Sequence, residues 1–263
     1  MNRYSWTSPV STVENGEILI RGYSIQEVMK HLSFHDSIFL VLRGELPSKE
    51  QSEVFRACLT SILDYAMGPA PFAGRVVASG NPQLGPAMAA GILAQGQYAV
   101  SPQDAGEFLN NALIVLEEVN PDIPRAALAV VTDYRSKKKR IPGLGLPTNL
   151  GIDPRAYTIS EILKENGLWG TAARLSEEIQ KVWNTETGKN LVINVDGMLA
   201  VALTELGFEP CEMGGVAAMS MLPGIIANAV HELKNGVPIR QISELTYTGP
   251  AKRYLADFIG QRG

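Results

Sequence analysis

Asn190-Leu191-Val192-Ile193-Asn194-Val195-Asp196-Gly197-Met198-Leu199-Ala200-Val201 joins an apolar run to an apolar helix and sets one acid, Asp196, between them. A carboxylate among such neighbours is costly to bury unless it is hydrogen bonded, paired or functional. Two readings of Asp196 are open at this point. It fits the base of a reaction, and it fits the N-cap of a helix that starts at Gly197, since Asp is a favoured cap residue.

Upstream lies Ile141-Pro142-Gly143-Leu144-Gly145-Leu146-Pro147, a loop in which no regular element can persist. The basic run Arg135 to Arg140 precedes it. Between the loop and the Asp196 segment the pattern reads as two helices, about 158–166 and 169–183. The stretch 141–189 therefore reads as a small unit inserted in a larger helical body made of 1–140 and 190–263.

Helical periodicity dominates elsewhere. Ser24 can cap a segment bearing Ile25, Val28 and Met29, and an apolar stretch from Ile38 to Leu42 stops at Gly44 and Pro47. Ser48, with Gln51 three residues on, forms a capping-box pattern ahead of Val54, Cys58, Leu59, Ile62 and Leu63. Small residues from Leu84 to Gln95 permit close helix packing, and Ser101 with Pro102 opens an amphipathic helix to Leu116. Another helix is read over 125–134. Residues 213–233 read as a long helical stretch interrupted at Pro223-Gly224, and the chain from Val237 on reads as mixed, wrapping the surface. Short β elements fit near Gly16 to Arg21, but there is no βαβ alternation and no phosphate-binding glycine motif. The expected fold is all-α.

Composition bounds the function. The chain has 263 residues, 45% of them apolar, and a formal charge of −4, which argues against binding nucleic acid or an anionic membrane through bulk charge. Cys58 and Cys211 stand far apart without zinc-ligand spacing, so they read as two buried thiols with neither metal nor disulfide. Residues 1–13 have no signal-like apolar core and no later run of about 18 apolar residues is present, so a cytosolic, reducing location is expected. Three histidines are a small stock for a catalyst, because His is the commonest general acid or base.

Several stretches together resemble the citrate synthase superfamily. They are Arg21-Gly22-Tyr23-Ser24-Ile25 through Leu42-Arg43-Gly44-Glu45-Leu46-Pro47, the loop Ile141 to Gly145 with Asp153-Pro154-Arg155-Ala156, Asn190 to Gly197, Pro223-Gly224-Ile225-Ile226-Ala227, and Tyr247-Thr248-Gly249-Pro250. The Asp196 segment is most similar to the version in citryl-CoA lyases and the C-terminal module of ATP-citrate lyase. The resemblance implies a large and a small helical domain, a dimer or higher oligomer, and coenzyme A held as a thioester substrate without a metal. It implies that Asp196 is the carboxylate that handles the α-proton, and that Arg155 holds a substrate carboxylate. Arg240 corresponds to the arginine supplied across the dimer. Ile141, Gly143, Leu144 and Gly145 would form the coenzyme loop, with Lys139 and Arg140 nearest it for the phosphates.

The departures are as informative. Leu146 stands where the resemblance implies a loop histidine, Ala66-Met67-Gly68 replaces an Asp-His-Gly motif, and Tyr98 to Ser101 replaces a Leu-His-Gly motif. Met221 stands near an expected arginine. His31, His35 and His231 fall at no catalytic position and read as structural or surface residues. The implied acceptor pocket, with Leu146 and Met221, is more apolar than a tricarboxylate would accept. Two functions follow: aldol or retro-aldol chemistry on a CoA thioester, with backbone N–H groups, Tyr98, Ser101 or Asn149 as oxyanion donors, or an inactive homologue that binds acyl-CoA or partners an active paralogue. A helical scaffold with relic motifs is a third.

Overall fold

The computed structural model describes residues 7–146 and 151–255, so Asn149 lies outside the described residues. Strand β1 (Ser11–Glu14) pairs antiparallel with β2 (Glu17–Ile20), and β3 (Tyr23–Ser24) pairs with β2. Asn15 and Gly16 turn the first hairpin at φ of 50° and 83°, the left-handed geometry a two-residue turn of this kind requires. Helices α1 (Ile25–His31), α2 (Phe34–Arg43), α3 (Lys49–Ser61), α4 (Pro69–Gly80) and α5 (Leu84–Leu93) follow. Then come α6 (Pro102–Glu118), α7 (Ile123–Ser136), α8 (Pro154–Glu165), α9 (Thr171–Thr187), α10 (Val195–Glu205) and α11 (Pro210–Asn235). The fold is all-α, with the small sheet held to the end of α2 by the Arg21 guanidinium, which donates twice to the Val41 carbonyl at 3.0 and 2.8 Å.

Local signals set most helix starts. Ser48 and Gln51 form the reciprocal capping box, with Gln51 N–H to Ser48 Oγ at 3.2 Å and Ser48 N–H to Gln51 Oε1 at 2.9 Å. Ser101 caps α6 by accepting the Asp104 N–H at 3.4 Å. Helix α4 is not signalled in the sequence, since its twelve residues include two prolines and two glycines. It forms because its small residues let backbones approach: a Cβ on Gly74 would lie 3.2 Å from the Ala87 carbonyl of α5 and 3.4 Å from Ile225 of α11. Tertiary packing here outweighs propensity.

The proline at 223 does not interrupt the last helix. Residues 210–235 form one helix because Gly224 N–H leaves the ladder and donates to the Leu63 carbonyl at 3.1 Å, while Asn228 Nδ2 donates to the Gly224 carbonyl at 2.9 Å. By length and composition this helix would suffice to cross a membrane, with a mean hydropathy of 1.5 over 18 residues. Here it packs on α3, α4, α5, α6 and α10, burying Met213, Val216, Ala217, Met221 and Ile225.

Helix α10 lies at the centre, against α3, α6, α8, α9 and α11, and Met198 to Leu203 are all buried. Ile159 and Leu163 of α8 and Leu175 and Ile179 of α9 belong to the same core as Phe39, Val54 and Phe55. The stretch 141–189 thus shares its interior with the segments on either side rather than holding a core of its own. Cys58 is buried, its thiol pushed up to about 12 by burial, but Cys211 is exposed in the first turn of α11, which corrects the expectation of two buried thiols. Residues 237–255 run without regular structure, tied to α4 where Ile239 N–H meets the Ser79 carbonyl at 3.0 Å.

Candidate active site

The glycine loop is docked on the segment before α10. Asn194 N–H donates to the Gly143 carbonyl at 3.0 Å, Gly145 N–H to the Val192 carbonyl at 2.7 Å, and Asn194 Nδ2 to the Gly145 carbonyl at 2.8 Å. Gly143 has φ of 76°, and a Cβ there would lie 2.5 Å from the Gly197 Cα; a Cβ on Gly197 would lie 2.4 Å from the Gly143 carbonyl oxygen. Only two glycines allow loop and helix to meet this closely. The loop therefore lies across the first turn of α10, where Asp196 sits.

Asp196 is not the cap of that helix. Asn194 is, its Oδ1 accepting the Gly197 N–H at 3.1 Å, so α10 begins at Val195 and Asp196 occupies its first turn. Asp196 Oδ1 is buried and has no hydrogen-bond partner among the described residues. Burial pushes the Asp196 carboxyl above its ordinary value; the nearby Ser101 N–H and the Arg155 charge pull it down, and the like charges of Asp153 and Asp104 add to the rise. A buried carboxylate oxygen without a partner is costly to keep, which marks Asp196 as the candidate functional acid of the fold.

Asp153 organises the other half. It caps α8, it is 3% exposed, and it binds Arg155 through Nε to Oδ1 at 3.0 Å and Nη2 to Oδ2 at 2.9 Å. Its Oδ2 also accepts the Val195 N–H at 2.9 Å, so the residue next to Asp196 is held by the same carboxylate that holds Arg155. Burial alone pushes the Asp153 carboxyl up, but the Arg155 bonds and charge outweigh it and keep it below the ordinary range. One edge of the guanidinium, Nε and Nη2, is committed to Asp153, and Nη1 makes no hydrogen bond among the described residues.

These groups face one cleft of about 1210 Å3. Ile141, Gly143, Leu144, Gly145, Leu146, Arg155, Asp196 and Met221 all line it, as do Tyr98, Ser101 and Arg140. Lys139 does not, and Arg240, expected from across a dimer, does not line the cleft of its own chain. Lys139 is exposed beyond the turn that closes α7, and Arg240 lies at the far end of α11, where its Nε and Nη2 bind Glu232 at 2.7 and 2.8 Å. Of the basic run, Arg135 and Lys137 are paired with Glu186 and Asp133. His31, His35 and His231 do not line the cleft. Asp153, Asn194, Asp104 and Lys189 were not singled out from sequence. The Asp-Pro and Asn-x-Asp patterns at helix starts are the signals that mark the first two; Lys189 carries none.

The helical fold, with a glycine loop laid over a helix start that presents a buried carboxylate beside an arginine, is that of the citrate synthase-like all-α proteins. The sequence matches the family described as "Citrate synthase, C-terminal domain" over residues 2–66 and 48–241. The structure is similar to that of the citryl-CoA lyase of Hydrogenobacter thermophilus, with a TM-score of 0.88 and 31% identity, covering 97% of this chain and 99% of that one. The ATP citrate lyase of Methanothrix soehngenii, solved with citrate and coenzyme A, shares the fold at a TM-score of 0.79 and 17% identity, over 96% of this chain and 43% of that one. Citrate synthase 2 of Bacillus subtilis (strain 168) is 25% identical over 237 residues, which span 89% of this chain and 60% of that protein. The chain belongs to the citrate synthase family.

Proposed function

We propose that this chain is an enzyme of coenzyme A thioesters that makes or breaks a carbon–carbon bond by aldol-type chemistry, with Asp196 as the proton-transfer carboxylate at the α-carbon. The observation that carries this reading is the unpartnered, buried Asp196 Oδ1 facing the cleft. A homologue kept only for binding has no use for an acid maintained at this cost, so the same atom favours the catalytic reading over the inactive one.

The chemistry assigns each wall a task. The Asp196 carboxylate takes the α-proton of the thioester, and the resulting enolate attacks a carbonyl; cleavage reverses both steps. Arg155, steadied by Asp153, binds a carboxylate of the second substrate. Leu146, Met221, Ile62 and Ala70 line the cleft with apolar surface, which suits a substrate with fewer carboxylates than citrate. Arg140 and Lys189 supply cations for the phosphates of the coenzyme, and the loop 141–145 supplies backbone groups for its acyl end. Phe72 and Leu93, 66% and 84% exposed on α4 and α5, give an apolar face suited to a second copy of the chain.

The test is incubation of the pure protein with acetyl-CoA in deuterium oxide, following the methyl signal by NMR, with CoA binding measured by calorimetry. Binding with loss of the methyl protons supports the proposal. Binding without exchange would favour a binding module, and no CoA affinity would overturn both.

A further inference from the structure

The cations that line the cleft all come from one stretch of chain, 140–189, which contributes Arg140, Arg155 and Lys189. The lining contributed by α3, α6, α11 and the turns beside them includes Asp64, Asp104 and Glu107 but, among the described residues, no lysine, arginine or histidine. Direct contacts build this cation-free wall. Ser220 Oγ of α11 donates to the Leu59 carbonyl at 2.6 Å, Gly224 N–H to the Leu63 carbonyl at 3.1 Å, and Asn228 Nδ2 to Asp64 Oδ1 at 3.0 Å. One face of α11, read every four residues, is thus locked to the end of α3 and the turn after it. Ile62 and Met221 lie on the two segments so joined, each 4% exposed and each lining the cleft.

The three cations are not equivalent. Arg140 adjoins Ile141 at the start of the glycine loop, and Lys189 lies two residues before Leu191, which a Cβ on Gly145 would meet at 3.8 Å. Both therefore flank the loop. Arg155 is tied to the acid instead: Asp153 Oδ2 accepts Arg155 Nη2 at 2.9 Å and the Val195 N–H at 2.9 Å, so one carboxylate oxygen links the guanidinium to the residue before Asp196.

We propose that the second substrate of this cleft is a 2-oxo acid with a single carboxylate and an uncharged chain, and that the thioester cleaved in reverse is the matching 3-carboxy-3-hydroxyacyl-CoA. The inference rests on the aldol reading given above and names its substrate. A carboxylate on Arg155 sits beside the carbon that the enolate attacks, because Arg155 and the start of the Asp196 helix are held by the same Asp153 oxygen. A carbonyl next to a carboxylate is a 2-oxo acid. The rest of the acceptor meets Ile62 and Met221, where a second carboxylate would be buried against apolar surface without a cation.

The bonds balance. In synthesis the Asp196 carboxylate takes the α-proton of the thioester, and the C–H pair becomes the enolate. The enolate carbon bonds the carbonyl carbon of the 2-oxo acid, the carbonyl π pair moves to oxygen, and that oxygen takes a proton from water. The hydroxide left behind is neutralised by the proton on Asp196. Cleavage runs the same bonds backwards.

The test measures acetyl-CoA release from three thioesters that differ in carboxylate number: 3-hydroxy-3-methylbutanoyl-CoA with none, racemic citramalyl-CoA with one and racemic citryl-CoA with two. The native protein and Arg155→Met are compared, both checked for native helix content, and acetyl-CoA α-proton exchange in deuterium oxide is followed on the native protein in parallel. Native kcat/KM is expected to be highest for citramalyl-CoA, about 100-fold or more above citryl-CoA and about 10-fold or more above the uncharged thioester. In Arg155→Met the preference for citramalyl-CoA over the uncharged thioester is expected to shrink at least about 10-fold. The native comparison stands without the variant. Citryl-CoA cleaved as fast as citramalyl-CoA, no cleavage of citramalyl-CoA beside clear exchange, or a preference that Arg155→Met leaves intact overturns this acceptor while the aldol reading stands. Neither exchange nor cleavage in the native protein would overturn the aldol reading, and the acceptor with it.

Discussion

Asp153 grips Arg155 through two parallel hydrogen bonds of 3.0 and 2.9 Å and, with the same carboxylate, receives the Val195 N–H at 2.9 Å. The cleft arginine and the start of the helix that bears Asp196 are therefore set relative to each other by one side chain. Asp153→Asn keeps the shape but replaces charge-assisted acceptors with a neutral one. The variant is expected to lose about 2 kcal/mol in urea denaturation at pH 7. Because the folded Asp153 carboxyl lies below its unfolded value, its contribution is present above the unfolded pKa and lost as pH falls through the folded one. The gap between native and variant should close under acid.

Asp196 has the opposite sign. Its carboxyl is raised in the fold, so the stability it allows is complete below its unfolded pKa and declines as pH rises through the folded pKa. Asp196→Asn is accordingly expected to melt at a higher temperature than the native protein at pH 7, with the difference vanishing below about pH 4. Thermal melts at a series of pH values check this. A native protein as stable as the variant throughout would mean that the acid carries no strain.

Loop docking depends on two glycines. Gly197→Ala places a methyl 2.4 Å from the Gly143 carbonyl oxygen, in competition with the bond that Gly143 accepts from Asn194. A loss of about 1–3 kcal/mol is expected, with helix content kept. CoA binding by calorimetry should weaken at least about 10-fold, since one lost contact of that size is worth a decade.

Glu232 lies at the end of α11 with its side chain wholly buried, between Arg75 Nε at 2.8 Å and the Arg240 fork at 2.7 and 2.8 Å. The Arg240 hydrogen bond, with help from Arg75, holds its carboxyl below the ordinary range despite burial. Glu232→Gln is expected to lower the melting temperature by several degrees at pH 7 and by less as pH falls through the folded pKa. Limited proteolysis should cut the 237–255 segment faster, because Arg240 ties that segment down.

What the sequence revealed follows the range of the forces involved. Capping signals are local, so Ser48, Ser101 and the all-α character were legible from residues a few positions apart. Helix α4 and the unbroken α11 were not. Gly74 against Ala87 and Gly224 N–H against the Leu63 carbonyl are contacts between distant segments, and they offset the unfavourable propensities of proline and glycine. Within the site, Asp196, Arg155 and the loop stood out as charge or glycine in unusual company. The full role of Asp153 was hidden because its four hydrogen bonds join Arg155, two residues on, to Val195, 42 residues away. The Glu232 partnership of Arg240 was equally hidden, because a match of residue type says nothing about which carboxylate within the chain the guanidinium meets.

The central claim is that Asp196 moves the α-proton of a CoA thioester. It is tested most directly by the rate of deuterium entry into the methyl group of acetyl-CoA, measured by NMR for the native protein and Asp196→Asn at equal CoA occupancy. The account predicts exchange in the native protein and a rate at least about 100-fold lower in the variant, the usual weight of a positioned general base. Equal rates in the two proteins would contradict it.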